Sequence, residues 1–403
     1  MYKIVSAALI CAGVSGHTLA ADKVLKIGVL NDRSGIFEDI TGAKSVEAAK
    51  MAIEDFGEQN LGYKIEFLSA DHQNKADVAT AIARRWIDVD RVDVIADGTN
   101  STVGLALQEV ARTKKKILLV ASAATSDLTG KSCTETGSQW SYDTYSVAKS
   151  TSRQLVQHGG KKWFFITADY AFGHAMERDA TAFIKEGGGQ VVGGVKAPPA
   201  TFDYSSFLLQ AQGSKADIIA LATGSTDTIN AVKQAAEFGV TGSGQRLAGL
   251  LTYINDVDSL GLKAAQGLTL TTSFYWDMND ETRAWTKRFW ARAGDKKPPN
   301  MLQAGLYAAI THYLKAVKAA GTTDAEVVSK KMKELPINDF YNKNVKLRED
   351  GRVLHRMYLM EVKKPSESKY PFDYYNLISE MSGDEAYRSL ADGGCPLVAG
   401  AKK

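Results

Sequence analysis

Two short stretches carry the residue types that could hold a small anion. Thr99-Asn100-Ser101-Thr102 follows an apolar run and the pair Asp97-Gly98, and Ser122-Ala123-Ala124-Thr125 closes a second apolar run. Both combine hydroxyls with small side chains, so O–H groups and backbone N–H groups can approach a negative charge with no bulk in the way. A plainer role stands beside this one: Asn100, Ser101 and Thr102 cap the helix that follows. The two roles are compatible, because the start of a helix is itself an anion site. Asn100-Ser101-Thr102 also matches a glycosylation sequon, read here as part of the ligand loop.

Catalytic patterns are missing. There is no Gly-x-Ser-x-Gly elbow, no Gly-x4-Gly-Lys-Ser/Thr loop and no His-Glu-x-x-His. His72, His158, His174, His312 and His355 are scattered, with no pair at metal-ligand spacing. Ser146 and Lys149 form a Ser-x-x-Lys match, but neither Ser-Asp-Asn nor Lys-Thr-Gly follows it. The expectation is a binder, with no cofactor, no metal and no enzymatic activity.

The elements that must position the two stretches form one β-α-β unit over residues 92–128, with an amphipathic helix between the apolar runs. In an open parallel sheet, ligands bind beyond the carboxyl ends of the strands. Upstream, 24–30 reads as a strand followed by the loop Asn31-Asp32-Arg33-Ser34-Gly35. Ala43, Val46, Ala49, Ala52, Ile53 and Phe56 give a helical period over 41–58. A strand at 63–69 and a helix at 75–88 complete this half. The alternation restarts at 161, with strands at 162–168, 190–196, 217–222 and 246–252 and helices at 172–186, 204–212 and 228–238. Such alternation implies parallel sheets covered on both faces, in two similar α/β units. Beyond them come a strand at 268–273, helices at 281–294, 301–320 and 324–334, a turn at 347–352 and an alternating strand at 353–362.

The chain of 403 residues, 44% hydrophobic and 24% charged, suits two globular domains. Its first twenty residues differ: Lys3 is the only charge before Asp22, 4–14 is mostly apolar, and Thr18-Leu19-Ala20 fits a cleavage site. These are the marks of a secretory signal peptide cleaved near Ala20, with an apolar segment too short to span a bilayer. Cys11 lies too early, after Ile10, for a lipid-attachment cysteine. Removing 1–20 takes away Lys3 alone, leaving 48 basic against 46 acidic side chains. No basic block stands out, so nucleic acid and membrane surfaces are not expected partners. Cys133 and Cys395 remain; in an exported chain such a pair reads as one disulfide, with two buried thiols as the other reading.

Several segments together resemble the type I periplasmic solute-binding proteins, the leucine/isoleucine/valine-binding family that serves ABC importers. They are LKIGVLNDRSG, VIADGTNST, VASAATSDLTG, ITADYAFG, ADIIALATG and a helix ending EFGV. The resemblance implies two doubly wound parallel-sheet lobes joined by a three-strand hinge and closing on a ligand. It puts 21–143 with about 275–345 in the N-terminal lobe, and 144–274 with about 346–375 in the C-terminal lobe. Residues 376–403 form a tail stapled to the N-terminal lobe. The family's first lobe holds the ligand carboxylate with amides and hydroxyls, which maps onto Thr99, Asn100, Ser101, Thr102, Ala123 and Thr125. Arg33 either pairs with that carboxylate or is a solvated surface residue.

One departure bears on the ligand. Amino-acid-binding members carry an acid near the strand end that aligns with Leu251, and an aromatic where this chain has Gly224-Ser225. An ammonium without a partner would be costly to bury, unless Asp227 or Asp256 reaches it from a loop. Tyr170, Phe172 and Tyr253 fall at strand ends, and Trp140, Tyr142 and Tyr145 come before the first crossing between lobes. Aromatic side chains at a cleft suit a flat ring, although each taken alone is more often packing. Together with the Gly-Gly-Cys-Pro-Leu tail at 393–397, this is similar to members that take benzoate- or cinnamate-type acids. The expectation is a periplasmic, monomeric protein that hands an aromatic monocarboxylate to ABC permease subunits. The alternative ligand is a branched-chain amino acid, an amide or a urea, and a secreted enzyme using the same cleft is the alternative from another class.

Overall fold

The computed structural model describes residues 23–240, 244–295 and 297–398; the signal peptide read at 1–20 lies outside them. The first sheet is built from β1 (Val24–Asn31), α1 (Gly42–Phe56), β2 (Lys64–Asp71), α2 (Ala76–Asp88), β3 (Val94–Asp97), α3 (Ser101–Lys114), β4 (Ile117–Val120) and β5 (Gly137–Gln139). Its order is β2-β1-β3-β4-β5, parallel throughout. β3 and β4 are buried at every position, which is why Val94-Ile95-Ala96 and ILLV read as apolar runs. The chain order reverses between β1 and β3, so a crevice opens beyond their carboxyl ends.

The second sheet follows α4 (Thr144–Gln157) and comprises β6 (Lys162–Ala168), α5 (Ala171–Glu186), β7 (Gln190–Ala197), α6 (Ser205–Gly213), β8 (Ile218–Ala222), α7 (Thr226–Glu237) and β9 (Arg246–Gly249). Its order is β7-β6-β8-β9, again parallel, with the reversal between β6 and β8. The two lobes thus repeat one plan.

Two short helices, α8 (Ile254–Leu260) and α9 (Leu262–Ala265), lead to β10 (Thr269–Thr272). The chain then returns to the first lobe for α10 (Asp280–Ala293), α11 (Met301–Ala320) and α12 (Ala325–Glu334). α11 lies along α1 and against β3 and β4, with α12 on its far side. It is buried on nearly every face, as a helix enclosed by other elements must be. β11 (Met357–Val362) and β12 (Tyr375–Met381) return to the second lobe, pairing antiparallel in the order β10-β11-β12, and α13 (Gly383–Ala386) packs on α4.

β12 extends the second lobe to 381, whereas the tail was expected from 376; its pattern is mostly exposed, so no apolar alternation marked it. α4 was not expected at all, because its buried face is built from Ser146, Ser150, Thr151 and Ser152 as well as Val147 and Ala148. Tyr145 therefore lies after the first crossing, in the first turn of α4, and not before it.

The crossings are braced by a buried arginine. Arg352 donates to the Tyr142 carbonyl at 2.8 Å and to the Val353 carbonyl at 2.9 Å, and its guanidinium lies 4.6 Å from the centre of the Tyr387 ring. After α13 the chain passes back towards the first lobe, where Cys395 and Cys133 form a disulfide with Cα atoms 5.6 Å apart.

Candidate functional site

The carboxyl ends of six strands, three from each sheet, meet across one small cavity. From the first lobe it is lined by Phe37 and Ile40 after β1, Thr99, Asn100 and Ser101 after β3, and Ser122 and Ala124 after β4. From the second it is lined by Tyr170 and Phe172 after β6, Gly224 after β8, and Leu251 and Tyr253 after β9, with Tyr142 entering from the first crossing. The centre of a water molecule can occupy only about 20 Å³ of it, so the lobes are shut. Larger hollows lie on the outside, one of about 720 Å³ between α1 and α11, one of about 670 Å³ among α4, α7 and β9, and one of about 390 Å³ behind the hinge. None joins the strand ends that face each other, so the small interlobe cavity is the candidate site.

The first-lobe wall is a donor surface. Ser101 Oγ accepts the N–H groups of Ala124 at 3.2 Å and Thr125 at 3.0 Å, which leaves its own proton to donate into the cavity. Asn100 is the N-cap of α3; its Oδ1 accepts the Thr102 N–H at 2.7 Å and its Nδ2 donates to Asn74 at 2.7 Å. What Asn100 offers a ligand is therefore its backbone N–H. With the N–H of Ser101 it belongs to the helix start that has no intrahelical acceptor. α3 comes this close because it carries Gly104: a Cβ there would stand 2.6 Å from the Ala123 Cβ. Behind the wall, the Ser122 hydroxyl donates to Asp97 Oδ1. Burial pushes the Asp97 carboxyl up to about 6.

The second-lobe wall is apolar and aromatic. Tyr170 and Phe172 stand 5.8 Å apart, tilted by 37°. Leu251, uncharged, stands just past the end of β9 and lines the cavity. Of the two acids on nearby loops, Asp227 accepts the Ala200 N–H at 3.3 Å and Asp256 the Tyr253 N–H at 2.8 Å. Burial pushes the first up to about 6 and the second up to about 7. Neither lines the cavity, and no charged side chain does.

Of the residues singled out from sequence, Thr99, Asn100, Ser101, Tyr170, Phe172 and Tyr253 are thus brought together. The others stand off the cavity. Arg33 Nε donates to Asn31 at 2.9 Å, with Asp71 and Asp97 as its acidic neighbours. The Thr102 side chain is exposed, and Ala123 is core beneath α3. The Thr125 hydroxyl accepts the Asp127 N–H at 3.3 Å, capping the next turn. Tyr145 packs edge-on against Phe183, ring centres 4.9 Å apart, with the Arg388 guanidinium 5.0 Å from its own. Ser225 reaches across to the first lobe, donating to the Ile36 carbonyl at 3.0 Å.

Phe37 and Ile40 have no part in the sequence reading; Tyr142 enters it only as a cleft aromatic, and Gly224 and Leu251 only as departures from the family's pattern. Gly35-Ile36-Phe37-Glu38-Asp39-Ile40-Thr41 carries neither a helical nor a strand period, so nothing in its spacing marks Phe37 and Ile40 as lining residues.

Two lobes with matching switch points and a donor wall facing an apolar wall are the architecture of a ligand-binding protein, and the chain belongs to the periplasmic binding protein family, whose model matches residues 24–369. It is a substrate-binding protein of the ABC-transporter type. A periplasmic binding protein from Burkholderia mallei of known crystal structure is 47% identical, with a TM-score of 0.91 over 94% of this chain and 99% of that one. A branched chain amino acid ABC transporter periplasmic ligand-binding protein from Burkholderia xenovorans LB400 is 39% identical, with a TM-score of 0.82 over 93% and 99%. A solute binding protein from Rhodopseudomonas palustris BisB5, solved in complex with 3,4-dihydroxy benzoic acid, shares the fold at 24% identity, with a TM-score of 0.78 over 89% and 98%. No helix among the described residues is long and apolar enough to cross a membrane.

Proposed function

We propose that the protein captures a small aromatic monocarboxylate in the interlobe cleft and delivers it to ABC permease subunits. One observation carries this reading: hydroxyl and N–H donors line one wall of the cavity, while Leu251, Phe172 and Tyr170 occupy the other, with no carboxylate among the lining residues. The ligand carboxylate lies at the start of α3 against the Ser101 hydroxyl and the N–H groups of Asn100 and Ser101. Its ring lies between Phe37, Ile40 and the second-lobe aromatics. An α-ammonium would be left without a counter-charge inside the cavity, a loss of several kcal/mol. The dihydroxybenzoate-bound protein of the same fold supports the aromatic reading. The name of the Burkholderia xenovorans protein supports a branched-chain amino acid instead. In this reading the chain is exported by residues 1–20 and acts as a monomer in the periplasm. The twelve residues read from sequence divide into those that face the ligand and those that support the loops.

A thermal-shift screen of residues 21–403 against hydroxybenzoates, cinnamates, short aliphatic acids and free amino acids tests the assignment. A ligand at a hundred times its Kd stabilises the folded form by about 2.7 kcal/mol. Shifts confined to aromatic acids are expected. A shift with leucine or valine in their place would overturn the ligand class, and equal shifts with benzoate and benzamide would overturn the carboxylate.

A further inference from the structure

We infer that Ser225, with Thr226 and Asn255, is a clasp that holds the lobes shut by gripping the main chain of the 36–40 loop, so that it sets affinity without touching the ligand. The grip is on carbonyls. Ser225 Oγ and Thr226 Oγ1 both donate to the Ile36 carbonyl, at 3.0 and 3.3 Å, and Asn255 Nδ2 donates to the Asp39 carbonyl at 3.0 Å. All three donors belong to the second lobe and all the acceptors to the first.

The loop they hold is preformed. The Asp32 carboxylate accepts the N–H groups of Gly35 at 2.9 Å and Phe37 at 3.1 Å. The Ile40 carbonyl takes Asn300 Nδ2 at 3.0 Å and Gln303 Nε2 at 2.7 Å, and Asn300 Nδ2 also reaches Asn255 Oδ1 at 2.9 Å. The same loop sends Phe37 and Ile40 into the cavity. One rigid segment therefore carries ligand contacts on its side chains and closure contacts on its carbonyls, which couples the two events.

Ser225 shows that the clasp is maintained against strain. Its φ is 52° and its ψ −131°, a region where any residue with a Cβ is strained and glycine is not. The fold of the second lobe alone would be better served by glycine. What glycine lacks is the hydroxyl, and the hydroxyl spans the cleft.

The test uses Ser225→Gly and Ser225→Ala in the mature chain without ligand. Spin labels at Val89→Cys and Leu209→Cys, exposed positions in different lobes, report the interlobe distance by electron–electron double resonance. The wild type is expected to populate the short separation of the closed form. Both variants should lose that population by about threefold or more, as removal of a net-favourable hydrogen bond requires. Ser225→Gly should melt above Ser225→Ala, because it removes the strain along with the hydroxyl. A wild type found only at long separation, variants with an unchanged distribution, or a glycine variant less stable than the alanine variant would each overturn the clasp. No ligand is needed, so the outcome is independent of whether an aromatic acid is the substrate.

Discussion

The phenolic oxygens of Tyr142 and Tyr253 lie 2.5 Å apart, one from the first crossing and the other from the end of the second lobe's sheet. Their rings meet edge to face at 80°. Burial pushes both phenols up in pKa, so both are neutral at any pH at which the protein would work. One proton serves the bond between them, and the second is left for another acceptor. Tyr253→Phe strands the Tyr142 hydroxyl in the interior. The expected outcome is a loss of about 1–3 kcal/mol in ligand binding, read by calorimetry with whichever acid the screen returns. An affinity equal to the wild type's would remove the pair from the binding function.

Gly224 offers a way to test which wall meets the ring. A Cβ built there would lie 3.8 Å from both Leu251 and Phe172, ordinary contact, and its φ is outside the range that favours glycine. Gly224→Ala should therefore fold normally and weaken ring-bearing acids more than short aliphatic ones. Gly224→Phe should abolish binding of aromatic acids with its melting temperature little changed. Full retention of benzoate binding by the phenylalanine variant would move the ring elsewhere.

Asp256 predicts an unusual pH slope. Its carboxyl sits at about 7 in the folded chain and near 3.9 when unfolded. Between those values the folded chain binds the extra proton, so this group's contribution to stability is full below about pH 4 and is lost as pH rises towards 7. His355, held at about 3 by burial, works the other way: its contribution is full above pH 6.5 and is lost as pH falls. The two oppose each other between about pH 4 and 6.5. Asp256→Asn keeps an acceptor for the Tyr253 N–H but has no proton to lose. Urea unfolding should show the variant gaining on the wild type as pH rises from 5 to 7.5, and a pH-independent difference would contradict the raised carboxyl.

The Cys133–Cys395 bond is checked by peptide mapping without reductant, where a linked pair is expected and two free thiols would refute it. Cys395→Ser should lower stability by about 2–5 kcal/mol, seen as a lower urea midpoint that reducing agent lowers no further.

What was legible in the sequence follows from where the signal was local. Thr99 to Ser101 could be placed because buried parallel strands read as apolar runs and their ends as small polar turns. Tyr170, Phe172 and Tyr253 followed by the same rule in the second lobe. Thr125 lies off the cavity and caps the next turn; a hydroxyl after a strand can do that as readily as it can face a ligand, and residue type does not separate the two. Tyr145 stands off the cavity because Asp143 caps α4, so the helix starts at Thr144, one residue before the aromatic. Phe37 and Ile40 depend on how the loop after β1 folds around Asp32, and only tertiary structure supplies that. Asp256 was weighed as a ligand partner; its use in holding the Tyr253 N–H depends on the turn that starts α8.

The disulfide joins residues separated by 262 positions, and every crossing between the lobes, the whole second lobe and helices α10 to α12 lie between them. Topologically residues 133–395 form a closed ring. A protease that cuts any single exposed loop between 134 and 394 opens the ring but leaves one covalent molecule. Two cuts, or one cut and a reductant, are needed before a piece can diffuse away.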